Sequence, residues 1–172
     1  MDILPVCTRM NRNFNGIPGE EMYLTNLLIS EENKQYSQQP LVLAVEDHDD
    51  SLLLISYTLE SLGCRYICQK DSFATVLVAK EYQPDLIMLD ILLPGLNGLE
   101  VVRQLKEQPL TKHIPVVAVT ALAGQKDKQT IMSAGFDDYI CKPYLIEELE
   151  AVINKILCDK FDLHSAYQLC SD

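Results

Sequence analysis

Five side chains have types and spacings that suit phosphate chemistry: the pair Glu46 and Asp47, then Asp90, Thr120 and Lys142. Each stands at the end of a short apolar run, a position where a strand hands over to a loop. Three carboxylates crowded together repel one another strongly outside bulk water. A hard divalent cation relieves that repulsion, and Mg²⁺ commonly takes one or two carboxylates while keeping places for water and phosphate oxygens. Lys142 adds a compact positive charge, and Thr120 a hydroxyl. Together they fit transfer of a phosphoryl group to a carboxylate, with Asp90 as nucleophile and a mixed acyl phosphate as product. Such a transfer depends mostly on positioning and on neutralising charge at the phosphoryl oxygens.

Taken singly, each residue has a plainer reading. Glu46-Asp47 resembles a helix-capping acidic pair, Asp90 a turn residue, Thr120 a β-branched strand residue and Lys142-Pro143 a surface turn. The case therefore rests on convergence, and convergence requires a particular architecture.

The pattern supplies one. Leu41–Val45, Leu86–Leu89 and Val116–Thr120 are continuous apolar runs, the mark of strands buried on both faces of a parallel sheet. Arg65–Cys68 and Tyr139–Cys141 read as weaker strands. Between and after them lie helical spacings at Ser51–Leu62, Ser72–Glu81, Asn97–Gln108, Gln125–Ser133 and Leu145–Leu157, punctuated by Gly63, Pro84, Pro109 and Gly135. Five alternating strands and helices predict a doubly wound α/β domain, a parallel sheet with helices on both faces. In such sheets ligands bind beyond the carboxyl ends of the strands, where all five candidate residues would gather.

The chain of 172 residues suits one domain with extensions. We expect a polar N-terminal extension over 1–39, then a domain over 40–159 and a tail over 160–172; Glu20–Ser30 reads either as part of a flexible polar arm, the reading slightly favoured, or as one short helix with Leu24, Leu27 and Leu28 on one side. A hydrophobic fraction of 48% is that of a packed core, while a net charge of -11 argues against nucleic-acid or anionic-membrane surfaces. No signal-peptide pattern opens the chain and no run approaches the length of a bilayer span, so a cytoplasmic location is expected. The six cysteines form no C-x-x-C pair, and His48, His113 and His164 are dispersed, which points to reduced thiols and no zinc site. Asp49, Asp50, Asp137 and Asp138 read as solvated charges or helix caps.

Four fragments, in order, resemble the bacterial two-component response-regulator receiver domain. They are Leu41-Val-Leu-Ala-Val-Glu46-Asp47, then Leu86-Ile-Met-Leu-Asp90-Ile-Leu-Leu-Pro94-Gly-Leu-Asn-Gly98, then Val119-Thr120-Ala121, and finally Ala134-Gly135-Phe-Asp-Asp-Tyr139-Ile-Cys-Lys142-Pro143-Tyr144. The resemblance covers about 40 to 159 and implies the flavodoxin-like strand order 2-1-3-4-5. It implies Asp90 as phosphoacceptor, Asp47 as a direct Mg²⁺ ligand, Glu46 holding the ion through water, and the Leu92 backbone carbonyl as a further ligand. Thr120 and Lys142 would contact the phosphoryl oxygens, Lys142-Pro143 would be a cis peptide, and Ala121 would leave room for the group. Thr120 and Tyr139 would form the switch. Leu92 and Leu122, two positions beyond Asp90 and Thr120, would flank the water that hydrolyses the acyl phosphate; two aliphatic groups there imply slow dephosphorylation.

The partners so implied are a histidine kinase or phosphotransfer protein upstream, and a downstream protein contacting the fourth helix, fifth strand and fifth helix. Homodimerisation through that face is left open. The residues after Asp159 are too few for a DNA-binding or enzymatic output domain. Two alternatives are a phosphorylation-independent binding module and a receiver fragment of a hybrid kinase. A haloacid-dehalogenase-like phosphatase would need a second Asp two residues after the nucleophile, where this sequence has Leu92.

Overall fold

The computed structural model describes residues 39–122 and 124–158. Five parallel strands form one sheet: β1 Leu41–Val45, β2 Arg65–Gln69, β3 Leu86–Asp90, β4 Val116–Thr120 and β5 Asp138–Cys141, in the order β2-β1-β3-β4-β5. The helices are α1 Asp49–Ser61, α2 Thr75–Tyr82, α3 Gly98–Glu107, α4 Gln125–Ala134 and α5 Ile146–Leu157. The fold is the doubly wound α/β arrangement that the apolar runs predict. The N-terminal segment, polar arm or short helix near Glu20–Ser30, and the expected tail lie outside the described residues.

Strand alternation builds two cores from one sheet. Leu43, Val45, Ile87, Leu89, Val116 and Ala118 face α2, α3 and α4, meeting Ala79, Val101, Val102, Leu105 and Ile131. Val42, Ala44, Leu86, Met88, Val117 and Val119 face the other way, onto Leu52, Ile55 and Leu59 of α1 and Leu149, Ile153 and Leu157 of α5. Every residue of β3 and β4 is buried, which explains why these strands read as unbroken apolar runs. Burying each such aliphatic side chain stabilises the fold by about 1.5–3 kcal/mol. β2, at the sheet edge, is only half-buried, and its sequence signal is correspondingly weak.

Two expectations are corrected. The second helix starts at Thr75, three residues later than Ser72. The Asp71 carboxylate accepts from the N–H groups of Phe73 (2.7 Å) and Ala74 (3.3 Å) and so holds a turn where a helix would otherwise begin. Asp137 and Asp138 are also more than solvated charges. Asp137 Oδ2 accepts from Val116 N–H and from Lys106 Nζ, both at 2.8 Å, and so ties the start of β4 to the loop before β5. Asp138 pairs with Lys155 of α5 at 2.7 Å. Burial acts to raise the Asp138 pKa, but the hydrogen bonds from Lys155 and Tyr139 N–H, with the charges of Lys155 and Lys128, hold it below the ordinary aspartate value.

Cys64, between α1 and β2, is buried, and burial together with the nearby Asp85 charge pushes its thiol up to about 11 from 9.0. At pH 8 that shift alone leaves about 100-fold less thiolate than an ordinary cysteine. Alkylation of Cys64 by iodoacetamide at pH 8 is therefore expected to be slower than that of a free thiol by at least that factor. Peptide mapping after timed labelling checks this; labelling of Cys64 at the free-thiol rate would contradict the packing.

Candidate functional site at the carboxyl edge of the sheet

The strand order reverses between β1 and β3, and a crevice opens beyond the carboxyl ends of strands at such a point. β1 runs into Glu46 and Asp47, and β3 ends on Asp90. One carboxylate oxygen from each of these three lies within 4.8 Å of the others. Glu46 and Asp90 are buried and Asp47 half-buried, so the site is closed below and open above. Pairing of β3 with β4 and of β4 with β5 brings Thr120 and Lys142 to the same edge. Asp90 is in register with Val119, Thr120 with Cys141, and Lys142 N–H donates to the Thr120 carbonyl at 2.8 Å.

Asp90 is held through both oxygens. Oδ1 accepts from Leu92 N–H at 2.9 Å and Oδ2 from Lys142 Nζ at 2.7 Å. Lys142 Nζ also donates to Glu46 Oε2 at 2.5 Å, and Glu46 Oε1 accepts from His48 N–H at 3.1 Å. Burial acts to lower the Lys142 pKa, yet the hydrogen bonds to Asp90 and Glu46 and their charges outweigh it and hold the ammonium above the ordinary lysine value. A raised lysine pKa means the ammonium is charged at every pH below the ordinary lysine value and loses its proton only as pH climbs through the higher folded value. Burial raises the neighbouring Tyr144 hydroxyl; Lys142 works against that rise, and Glu46 and Asp90 reinforce it.

One ammonium faces three carboxylates, so the cluster remains net negative. The donors are all hard oxygens, and two of the three side chains are buried where repulsion is poorly screened. These properties fit a small divalent cation such as Mg²⁺.

The other candidate residues have their own settings. Thr120 is fully buried, and its hydroxyl accepts from Leu122 N–H at 3.2 Å. Leu122 packs its side chain against the core, and its carbonyl accepts from Cys141 Sγ at 3.4 Å. Leu92 stands 54% exposed beside Asp90, and Ala121 is exposed. Tyr139 is half-buried, with Lys128 Nζ 5.0 Å from its ring centroid. The Lys142–Pro143 peptide bond is cis. His48 is exposed at the N-cap of α1, beside Asp47, Asp49 and Asp50 in an open acidic depression.

Residues 42–154 match the family model of the response regulator receiver domain. The polar-differentiation response regulator DivK of Brucella anthropi is 36% identical over 118 residues, which cover 69% of this chain and 96% of that protein. Among solved structures, the chemotaxis response regulator CheY4 of Vibrio cholerae superposes with a TM-score of 0.66 at 25% identity, covering 69% of this chain and 99% of that one. The receiver domain of a Pseudomonas aeruginosa sensor histidine kinase, solved with magnesium coordinated in its active-site cleft, gives 0.65 at 31% identity, covering 70% and 98%. The chain belongs to the response-regulator receiver family. It is a signalling domain of two-component systems, with the CheY-like fold. Among the described residues no helix is long and apolar enough to cross a membrane.

Gly98 and Ser72 carry no chemistry of their own and escape motif reading as site residues. Both touch the loop that leaves Asp90.

Proposed function

We propose that Asp90 accepts the phosphoryl group, in a domain spanning 40–159, from a phosphohistidine on a sensor kinase or phosphotransfer protein. The observation that carries this reading is the double clamp on the Asp90 carboxylate, by Leu92 N–H and Lys142 Nζ, inside a cluster of net negative charge. A carboxylate oxygen keeps further lone-pair sites when it accepts one hydrogen bond, so the clamp fixes orientation without exhausting nucleophilicity. In the transfer, an Asp90 oxygen forms the new O–P bond, the P–N bond of the donor breaks, and the imidazole nitrogen keeps the electron pair and takes a proton. Lys142 neutralises charge on the phosphoryl oxygens, and the Thr120 hydroxyl is the donor next along the edge.

Asp47 would hold Mg²⁺ directly, with Asp90 and the Leu92 carbonyl, and Glu46 would hold it through water. The ion, when bound, supplies positive charge to the carboxylates and to the incoming phosphoryl oxygens. As the Thr120 hydroxyl turns towards a phosphorylated Asp90, Tyr139 would turn inward and remodel the face of α4, β5 and α5. Output would follow by protein contact there or by relay of the phosphoryl group. Lys128 lies against the Tyr139 ring, which supports a switch with one position of the ring held by a cation–π contact.

Incubating the full chain with Mg²⁺ and acetyl phosphate, then mapping the acyl phosphate by mass spectrometry, tests the reading. A hydroxylamine-labile adduct at Asp90 is expected. It should outlast those of fast-resetting chemotaxis receivers, because neither Leu92 nor Leu122 offers a hydrogen bond to an attacking water. Absence of an adduct would favour the phosphorylation-independent binding module, and decay within seconds would overturn the shielding role of the two leucines.

A further inference from the structure

Ser72 lies in the turn between β2 and α2 and is fully buried. Its Oγ accepts from Leu96 N–H at 3.0 Å and donates to the Pro94 carbonyl at 3.4 Å, reaching a loop more than twenty residues further along the chain. In the same turn the Asp71 carboxylate separately accepts from the Phe73 and Ala74 N–H groups, just before α2. Beside it the Phe73 ring lies so close over Gly95 that a Cβ there would overlap the ring, and Gly95 has a φ of +91°. Ser72 and Phe73 therefore grip Pro94–Leu96 from one side.

That loop is the backbone leaving Asp90. Its start is pinned by Leu92 N–H on Asp90 Oδ1 and by Gly98 N–H on the Ile91 carbonyl, at 2.9 and 3.1 Å, with Ile91 and Leu93 buried. Its end is pinned by Asn97, whose side chain accepts from Leu99 N–H and caps α3. Between the two ends, both long-range hydrogen bonds converge on one serine hydroxyl.

We infer that Ser72 is a positioning residue of the phosphorylation centre. By fixing Pro94 and Leu96 it fixes Leu92, whose N–H orients Asp90 and whose carbonyl would face the cation. The inference rests on the proposed role of Asp90. Hydrogen-bonding groups that orient metal ligands typically change affinity or activity by 10–100-fold, and Ser72, acting through the backbone, belongs at the lower end.

The test compares the full chain with Ser72→Ala and with Asp71→Ala, which removes hydrogen bonds in the same turn without touching the loop. Mg²⁺ affinity is read by calorimetric titration, the rate of labelling by acetyl phosphate is followed across Mg²⁺ concentrations, and melting temperature is recorded alongside. Ser72→Ala is expected to weaken Mg²⁺ binding by about tenfold and to slow labelling most at low Mg²⁺. Asp71→Ala should lower the melting temperature and leave Mg²⁺ affinity within about twofold. Ser72→Cys, which keeps the size and a weak hydrogen-bonding group, should fall between and serves if the alanine variant folds poorly. Equal Mg²⁺ affinity in wild type and both Ser72 variants would overturn the inference while leaving Asp90 as acceptor. Equal loss in Asp71→Ala would reduce Ser72 to a structural part of the turn. A wild-type chain that forms no adduct at Asp90 would overturn both readings together.

Discussion

Asp90→Asn is expected to bring labelling by acetyl phosphate down to background, a loss on the order of a thousandfold or more, as for other removed nucleophiles. The amide has the shape of the carboxylate but lacks the nucleophilic charge. Its oxygen can still accept the Leu92 N–H, which is 2.9 Å from Oδ1 in the wild type. Its NH₂ would replace Oδ2 opposite Lys142 Nζ, setting donor against donor where a 2.7 Å ion pair stood. Loss of a charged hydrogen bond in a buried setting costs about 1.5–3 kcal/mol, while one fewer carboxylate relieves the repulsion from Glu46 and Asp47, so the variant should still fold. Intact-mass measurement after labelling decides the point. Retained phosphorylation, with the adduct mapped to Glu46 or Asp47, would remove Asp90 from its proposed role.

Gly98→Ala carries the second large effect. A Cβ at Gly98 would sit 2.5 Å from the Asp90 carbonyl oxygen and 2.7 Å from Ile91 Cα. Both are backbone atoms, one of the nucleophilic residue itself and one of the residue after it, so no flexible side chain can give way. Either the N-terminus of α3 or the end of β3 must move, and both are packed between buried residues. Overpacking in cores typically costs 1–3 kcal/mol, and we expect the upper end, about 3 kcal/mol, by urea denaturation. Labelling at Asp90 should fall as well, because relief of the clash displaces the residue's own carbonyl. An unchanged denaturation midpoint would show that the approach of α3 to β3 is looser than the structure has it.

Much of this architecture is legible in the sequence, for a physical reason. β1, β3 and β4 are buried on both faces, so their apolar runs are unbroken, and the loops between them carry the breakers that bound each helix. A parallel sheet puts all strand carboxyl ends on one edge, which is why Glu46, Asp47, Asp90 and Lys142 are gathered although 96 residues separate the first from the last. The helix start at Thr75 was less legible. The pattern from Ser72 onward suits a helix, but the Asp71 side chain competes locally for the N–H groups that would begin it. Asp137 looked like surface charge because its partners, Val116 N–H and Lys106, come from separate elements. Ser72 and Gly98 were illegible as site residues for the same reason: each acts through the approach of one loop or helix to another. Residue periodicity reports which face is buried, and is silent on how near two loops come.

Lys142 reaches across from β5 to grasp Glu46 and Asp90 at once. It thus serves as an internal counterion, a tethered stand-in for part of the charge a visiting metal would bring. On the reading proposed here, the domain between signals has no need to come apart when that metal leaves. Binding of the ion would then be an exchange of partners around carboxylates that Lys142 already holds in place.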